Sequence, residues 1–202
     1  MLSERLFKDG VLTIDEAHKI LLPYYSDIML CIHEGLRRTQ GLKQRESEYC
    51  APLTSRSLAN MVHDQIEFVA KRIFSRKDED IAVYTEKGFL VVDFHGRIFL
   101  RFKKLQRNLM PCNIETEQQR AFDEQTLFEG PVTHLSAGYR LNDLGEYKDA
   151  HVVCVSYHKV QWSLPLPEIK KAKQKEISVP VTLDQPIVVV RKSAMRKLGD
   201  AS

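Results

Sequence analysis

The sequence predicts an α+β fold in which N-terminal helices pack on a mostly antiparallel sheet of about five to six strands. Within residues 13–76, apolar residues recur at every third or fourth position, as they do on the buried face of a helix. Within residues 81–164 the apolar residues alternate with polar ones, and short turns separate the runs. Helices that precede a set of closely spaced strands favour this class of fold.

Three helices are expected in the first part of the chain. Thr13 has a side chain that can cap the first helix, which should end at about residue 22 because a proline follows. The second helix should occupy about residues 26–41 and the third about residues 55–74, each with one apolar stripe. The polar residues 43–52 between them are predicted to form a loop.

The strands are predicted in two groups. Residues 81–85, 89–94 and 97–103 form an antiparallel meander with two short turns. A helix over about residues 117–128 then follows, because Thr116 and Gln119 have the spacing of a capping box.

A second hairpin completes the expected sheet. Its strands cover about residues 135–141 and 150–157 and turn at residues 142–145, where asparagine, aspartate and glycine favour a tight turn. Trp162 is expected to cover the edge of this hairpin.

Charge divides the 202-residue chain into two parts. Residues 168–202 contain eight bases and four acids, whereas residues 1–167 contain 22 bases and 23 acids. We therefore interpret residues 1–167 as one α+β domain and residues 168–202 as a basic tail or an added edge strand. This second part contains an apolar run that could pair with another chain as a strand, formed by Ile187, Val188, Val189, Val190 and the following Arg191.

Several kinds of site and location are excluded by what the sequence lacks. The N-terminal residues do not have the pattern of a secretory leader, no apolar run is as long as a membrane span, and the four cysteines are far apart. Together these features predict a cytoplasmic protein with reduced thiols. It contains no C-x-x-C or H-E-x-x-H pair, no G-x-S-x-G turn and no glycine-rich phosphate loop. We therefore predict no metal and no other cofactor.

The strand at residues 97–103 has a basic and aromatic face. Arg97, Phe99, Arg101 and Lys103 share this face because side chains alternate along a strand. The preceding Lys-Gly-Phe at residues 87–89 resembles part of the RNP1 pattern of RNA-recognition motifs, but the second stacking aromatic is replaced by valine. The alternative is a sheet face covered by a helix, with the charged ends of the arginine and lysine side chains extending to water.

The same strands also resemble the motif of PD-(D/E)XK nucleases. Asp93 precedes a hairpin turn, Lys103 lies on the following strand, and Glu67 is available from the third helix. In these nucleases, carboxylates hold a divalent metal and the lysine assists the attack of water on phosphate. This sequence has Arg101 where the second carboxylate belongs, which removes a ligand and adds a repelling charge.

Two functions are consistent with this reading. The first is a non-enzymatic interaction or regulatory protein, with the outline of an antitoxin or an immunity component, that binds another protein through the C-terminal segment and the basic-aromatic strand face. The alternative is a metal-dependent nuclease, or another protein acting on nucleic acid, with a degenerate site of Glu67, Asp93 and Lys103.

Overall fold

The computed structural model describes residues 11–75 and 80–167, and these form helices packed on one six-stranded sheet. The predicted α+β fold is therefore confirmed. The helices are α1 (Ile14–Leu21), a 3-10 turn (Leu22–Tyr24), α2 (Tyr25–Arg45), α3 (Ser47–Cys50), α4 (Ser55–Phe74) and α5 (Glu117–Asp123). The strands are β1 (Ile81–Glu86), β2 (Phe89–Phe94), β3 (Ile98–Lys104), β4 (Thr133–Leu141), β5 (Tyr147–Ser156) and β6 (Lys159–Pro165).

The order of the strands in the sheet follows their order in the chain. Strands β1 to β3 form one antiparallel meander, and strands β4 to β6 form another. The two meanders meet along β3 and β4, which are parallel and are connected by residues 105–132. A parallel pair needs such a crossover, and here it contains α5.

Polar caps fix where the helices begin. The Thr13 hydroxyl oxygen accepts a hydrogen bond from the Glu16 backbone N–H, and the Thr13 backbone N–H donates to the Glu16 carboxylate, so the capping box is complete. Thr54 caps α4 and Thr116 caps α5 through the same kind of hydroxyl contact. The predicted starts of these three helices are confirmed.

Three elements differ from the prediction. The expected loop at residues 43–52 is wrong, because α2 continues to Arg45 and α3 follows at once. Lysine, glutamine and arginine are good helix formers, and the first proline that stops the run is Pro52. Strand β6 is not among the predicted strands, yet it is a full edge strand that places Trp162 opposite Cys154.

Helix α5 is shorter than predicted and ends at Asp123. Gln125 adopts a left-handed backbone conformation with φ of 61°. Its side-chain amide donates to the carbonyl oxygens of His134 and Val155, and its carbonyl accepts from the His134 backbone. These three bonds attach the end of α5 to two strands, which the local sequence does not indicate.

Each face of the sheet is covered by different elements. The larger core lies between helices α1, α2 and α4 and the sheet face that carries Val92, Leu100 and Val152. On the opposite face, α5 and residues 124–128 pack on β2 and β3, with Phe122 and Phe128 against Val91. The predicted basic-aromatic strand face belongs to this second, smaller core.

Candidate functional site

The basic-aromatic face of β3 is covered. Phe99 packs edge-on against Phe128, with 4.9 Å between the ring centroids, and its other neighbours include Tyr84 and His134. Arg97 is exposed, but it precedes β3 and lies in the turn. Most of this face is therefore an internal contact of the protein and not a free docking surface.

Arg101 is the most unusual residue beneath this cover, because only 2% of its surface is exposed. Its guanidinium carbon lies 4.5 Å from the ring centroids of both Phe89 and Phe122. The expectation that this side chain extends to water is wrong. The two aromatic rings favour the cation by cation–π attraction and keep it within the protein.

The hydrogen bonds of Arg101 are incomplete. Its Nη2 donates to the side-chain oxygens of Gln119 and Asn113, while its buried Nε and Nη1 have no partner among the described residues. Gln119 in turn donates to the Asp123 carboxylate at 2.8 Å, so an amide separates the two charges. Burial lowers the pKa of Arg101 to about 10 and raises the pKa of Asp123.

Lys103 lies two residues further along the same strand face. Strand β2 pairs with β3 only at residues 98–100. Beyond this point the crossover lies beside β3, where the Cys112 backbone N–H donates to the Lys104 carbonyl oxygen at 2.8 Å. We call Arg101, Lys103, Gln119 and Asp123 the fork cluster, because the two strands diverge here. Burial, followed by the charge of Arg101, lowers the pKa of Lys103 to about 8.

The structure does not bring the proposed nuclease residues together. Asp93 pairs with Phe99, and its Oδ1 accepts from the Gly96 backbone at 2.8 Å, which is a turn contact. Lys103 is four residues beyond Phe99, or roughly 13 Å along the strand. Glu67 is on α4, where it is 4.0 Å from Lys71, and its charge also acts on Lys103, but it is not joined there by Asp93. Within residues 11–75 and 80–167, no cluster of three or more metal-ligating side chains is present.

A second cationic region lies between α2 and α4. Gly35 allows these helices to approach closely, since a Cβ atom there would lie 2.4 Å from Ile66 Cγ1. Beyond this contact the helices border a cleft of about 460 Å³. We call it the arginine cleft, and it is lined by Arg37, Arg38, Thr39, Gly41, Leu42 and Arg45 of α2 and by Met61, Asp64 and Gln65 of α4.

Positive charge exceeds negative charge in the arginine cleft. Arg37 and Arg38 both bind one carboxylate, that of Glu34, at 2.7 and 2.8 Å. These bonds lower the pKa of Glu34. Arg45 makes no ion pair with any described residue and is exposed.

An exposed aromatic ring extends the arginine cleft along α4. Phe68 is 44% exposed, and the guanidinium groups of Arg38 and Arg72 lie 5.1 and 5.5 Å from its centroid. The ring therefore sits between two cations at the surface. Arg37, Arg38 and Arg45 occupy one side of α2, and this helical spacing of three arginines is visible in the sequence.

The predicted C-terminal docking segment is not tested by the structure. Ile187 to Arg191 are outside the described residues, so their role as a docking strand stays a prediction. No helix within the described residues is long and apolar enough to cross a membrane. Comparisons with models of protein families, with curated proteins and with solved structures find no match to this chain.

Proposed function

We propose that this chain is a non-enzymatic interaction protein that binds an acidic segment of a partner protein in the arginine cleft. The observation that carries this proposal is the lining of one surface cleft by three arginines, two of which share a single carboxylate. Guanidinium groups bind carboxylates through paired, charge-assisted hydrogen bonds, which favours an acidic ligand.

The bonds within the cleft leave donors free for a ligand. Arg37 uses Nε and Nη2 for Glu34, and Arg38 uses Nε, so both keep further N–H groups. Arg45 is entirely without an acidic partner among the described residues. An acidic segment can therefore add hydrogen bonds without displacing Glu34.

The surroundings of the cleft favour a protein over a nucleic acid as the partner. Asp64 lines the cleft and Glu34 lies beside it, so two carboxylates offset part of the positive charge that a long row of phosphates would need. Residues 1–167 are nearly electroneutral, unlike a domain that binds nucleic acid mainly through charge. Exposed Phe68 and its flanking arginines are residue types enriched where protein interfaces have most of their binding energy.

This proposal keeps the regulatory, antitoxin-like or immunity-like reading of the sequence and changes the surface that serves it. The buried face of β3 is replaced by the arginine cleft. Residues 168–202 are also basic, so the docking role proposed for that segment requires a partner of the same acidic kind.

Binding of a fluorescein-labelled peptide of ten glutamates, followed by fluorescence anisotropy, tests the proposal. The full chain should bind it with an affinity that falls as salt rises, because exposed charge pairs are screened. Arg45→Glu should weaken binding at least about tenfold, since it replaces an attraction by a repulsion. Arg107→Glu is the matched control, because Arg107 is an 89% exposed arginine on a loop outside the cleft.

Two results would contradict the proposal. Equal loss of binding in the Arg45 and Arg107 variants would mean that the peptide responds only to net charge. Tighter binding of a DNA duplex than of the peptide, abolished by Arg45→Glu, would identify the arginine cleft as a nucleic-acid site instead.

A further inference from the structure

We propose that the acidic segment bound in the arginine cleft is an extended chain with a large aromatic residue at its centre and acidic residues two positions before and two positions after it. This inference rests on the function proposed above and specifies the ligand of the same cleft. The aromatic side chain enters the cleft, and the flanking carboxylates bind Arg37 and Arg45.

The lining of the arginine cleft changes from partly buried residues to exposed charges. We call the four partly buried residues that lie one helical turn apart in pairs the cleft floor: Arg38 and Leu42 on α2, and Met61 and Gln65 on α4. Three lining residues, Arg37, Arg45 and Asp64, are exposed and form its rim. The floor therefore suits an uncharged ligand group, and the rim suits charged groups.

The arginine cleft has more space than carboxylate groups alone require. Its volume of about 460 Å³ lies within the range of roughly 300–1,000 Å³ that is usual for pockets holding small molecules. Gly41 contributes to this space. Apart from adjacent residues and the helix backbone, a Cβ atom there would have one described atom within 4 Å, Nη1 of Arg45 at 3.4 Å. A large side chain of a partner can therefore enter above Gly41.

Arg38 provides a platform for an aromatic ring within the cleft floor. Its Nε donates to the Glu34 carboxylate at 2.8 Å, and its guanidinium carbon lies 5.1 Å from the ring centroid of Phe68. These two contacts hold the planar guanidinium group in place where it lines the cleft. Planar guanidinium groups stack on aromatic faces, so an aromatic side chain is favoured over an aliphatic one.

The separation of Arg37 and Arg45 sets the spacing of the acidic residues in the ligand. They are eight residues apart on α2, which is about 12 Å at a rise of about 1.5 Å per residue. Four residues of an extended chain span about 13 Å, and side chains two positions apart point to the same side. Acidic residues on both sides of the aromatic residue can therefore reach both arginines while the ring enters between them.

Asp64 determines along which rim of the cleft the ligand lies. It is the exposed carboxylate on the α4 side, whereas the exposed charges on the α2 side are Arg37 and Arg45. Juxtaposed like charges are unfavourable across an interface. The acidic residues of the ligand therefore lie along α2, and the aromatic side chain points towards α4.

Fluorescence anisotropy with three fluorescein-labelled peptides tests the proposal. The first is Glu-Gly-Glu-Gly-Trp-Gly-Glu-Gly-Glu, and the second, Gly-Glu-Gly-Glu-Trp-Glu-Gly-Glu-Gly, has the same composition with its acidic residues at odd distances from the tryptophan. The third is the first with alanine in place of tryptophan. The full chain should bind the first at least about tenfold more tightly than the third, because a ring is buried on the floor. It should bind the first at least about threefold more tightly than the second, because the carboxylates face the arginines.

Two variants alter the cleft without removing a charge. Gly41→Leu places a side chain in the cleft and should weaken binding of the first peptide at least about tenfold, while leucine is a better helix former than glycine and preserves the fold. Gln40→Leu is the matched control, because Gln40 is the exposed neighbour on α2 and does not line the cleft. Arg38→Lys keeps the charge but removes the guanidinium plane, so it should reduce the preference for tryptophan over alanine.

The outcomes separate this inference from the proposed function. Equal binding of the tryptophan and alanine peptides would overturn the inference, and the function would stand if the peptide of ten glutamates still bound. Equal binding of the two tryptophan peptides would mean that the assigned spacing is wrong. Equal binding by Gly41→Leu and Gln40→Leu would show that the ring does not enter the cleft. Failure of all these peptides, including the glutamate peptide, would overturn the proposed function and this inference together.

Discussion

The arginine cleft and the fork cluster place arginine side chains in opposite environments. In the cleft, Arg37 is 66% exposed and has a carboxylate at 2.7 Å. In the fork cluster, Arg101 is 2% exposed and contacts amide oxygens and aromatic rings. The charges of the cleft are therefore available to a ligand. In the cluster, the buried charge of Arg101 adds to the effect of burial in lowering the pKa of Lys103.

This difference in burial also predicts that the two regions contribute differently to the stability of the fold. Exposed ion pairs contribute about 0–1 kcal/mol, because water and salt screen the attraction. A buried cation without a contacting carboxylate is costly in itself, and its removal leaves a cavity and unpaired acceptors. The comparison predicts that substitutions in the cluster alter folding and substitutions in the cleft alter binding.

The largest effect is expected from truncating Arg101. Arg101→Ala should lower the free energy of unfolding by about 3 kcal/mol, because it empties the space between Phe89 and Phe122 and leaves the Gln119 oxygen without its donor. Arg45→Ala should change it by less than about 0.5 kcal/mol, as is usual for an exposed side chain. Urea unfolding followed by circular dichroism measures both.

Arg101→Met sharpens this prediction, because it keeps most of the volume and removes the charge. Burying an apolar chain in place of a buried cation offsets part of the loss, so the Met variant should be more stable than the Ala variant. If Arg101→Ala and Arg45→Ala lower the free energy of unfolding by the same amount, the predicted contrast between the two regions is wrong.

An intermediate effect is expected from Lys103 as the pH rises. Its pKa in the folded protein, about 8, is below the ordinary lysine value of roughly 10.4. Between these values the unfolded chain binds more protons, so Lys103 destabilises the fold below pH 8 and this cost is relieved as pH increases towards 10.4. Its partial exposure reduces the size of the effect to about 1 kcal/mol.

The measurement is the free energy of unfolding of the unaltered protein minus that of Lys103→Met, from pH 7 to pH 10. This difference should become more favourable to the unaltered protein with rising pH. Taking the difference cancels the titration of the other perturbed groups, including the partly buried Tyr84, whose pKa is raised to about 12. A difference that is independent of pH would contradict the predicted perturbation of Lys103.

The smallest effect is expected from Glu34, the shared carboxylate of the cleft. The pKa of Glu34 is lowered by Arg37, so its stabilisation is present above the ordinary glutamate range and is lost as the pH falls through its folded pKa. Glu34→Gln should cost less than about 1 kcal/mol at pH 7 and less again at pH 3. The same variant should bind the glutamate peptide about threefold more tightly, because a competing carboxylate is removed.

Unfolding curves at the two pH values and one anisotropy titration check this prediction. Glu48 provides the matched control, because it is an exposed glutamate just beyond α2 that makes no ion pair with any described residue. Glu48→Gln should change the stability less than Glu34→Gln does. Weaker peptide binding by Glu34→Gln would mean that Glu34 orients the arginines and does not compete with the ligand.

Local signals in the sequence account for the elements that were predicted correctly. Thr13, Thr54 and Thr116 bond to backbone groups within three residues, so these helix starts depend on neighbours in the chain. The hairpin turn after β4 is similarly local, because Asn142 bonds to the backbone of Leu144 and Glu146. Such short-range contacts can be inferred from the order of residues alone.

The features that sequence reasoning does not reach depend on distant contacts. Arg101 is buried by Phe122 and Gln119, which follow it by about twenty residues, and nothing within β3 indicates them. Gln125 ends α5 through bonds to His134 and Val155 on two other strands. The arginine cleft needs α2 and α4 to meet at Gly35, a contact that helical periodicity does not reveal.

The parallel joint between β3 and β4 has a consequence for how the chain folds. Every other pair of neighbouring strands is linked by a short turn, whereas this pair requires residues 105–132 to be ordered first. The entropy of closing a loop grows with its length, and contacts distant in sequence slow folding. We therefore expect each half of the sheet to form early and the seam between the halves to form last, as the rate-limiting step.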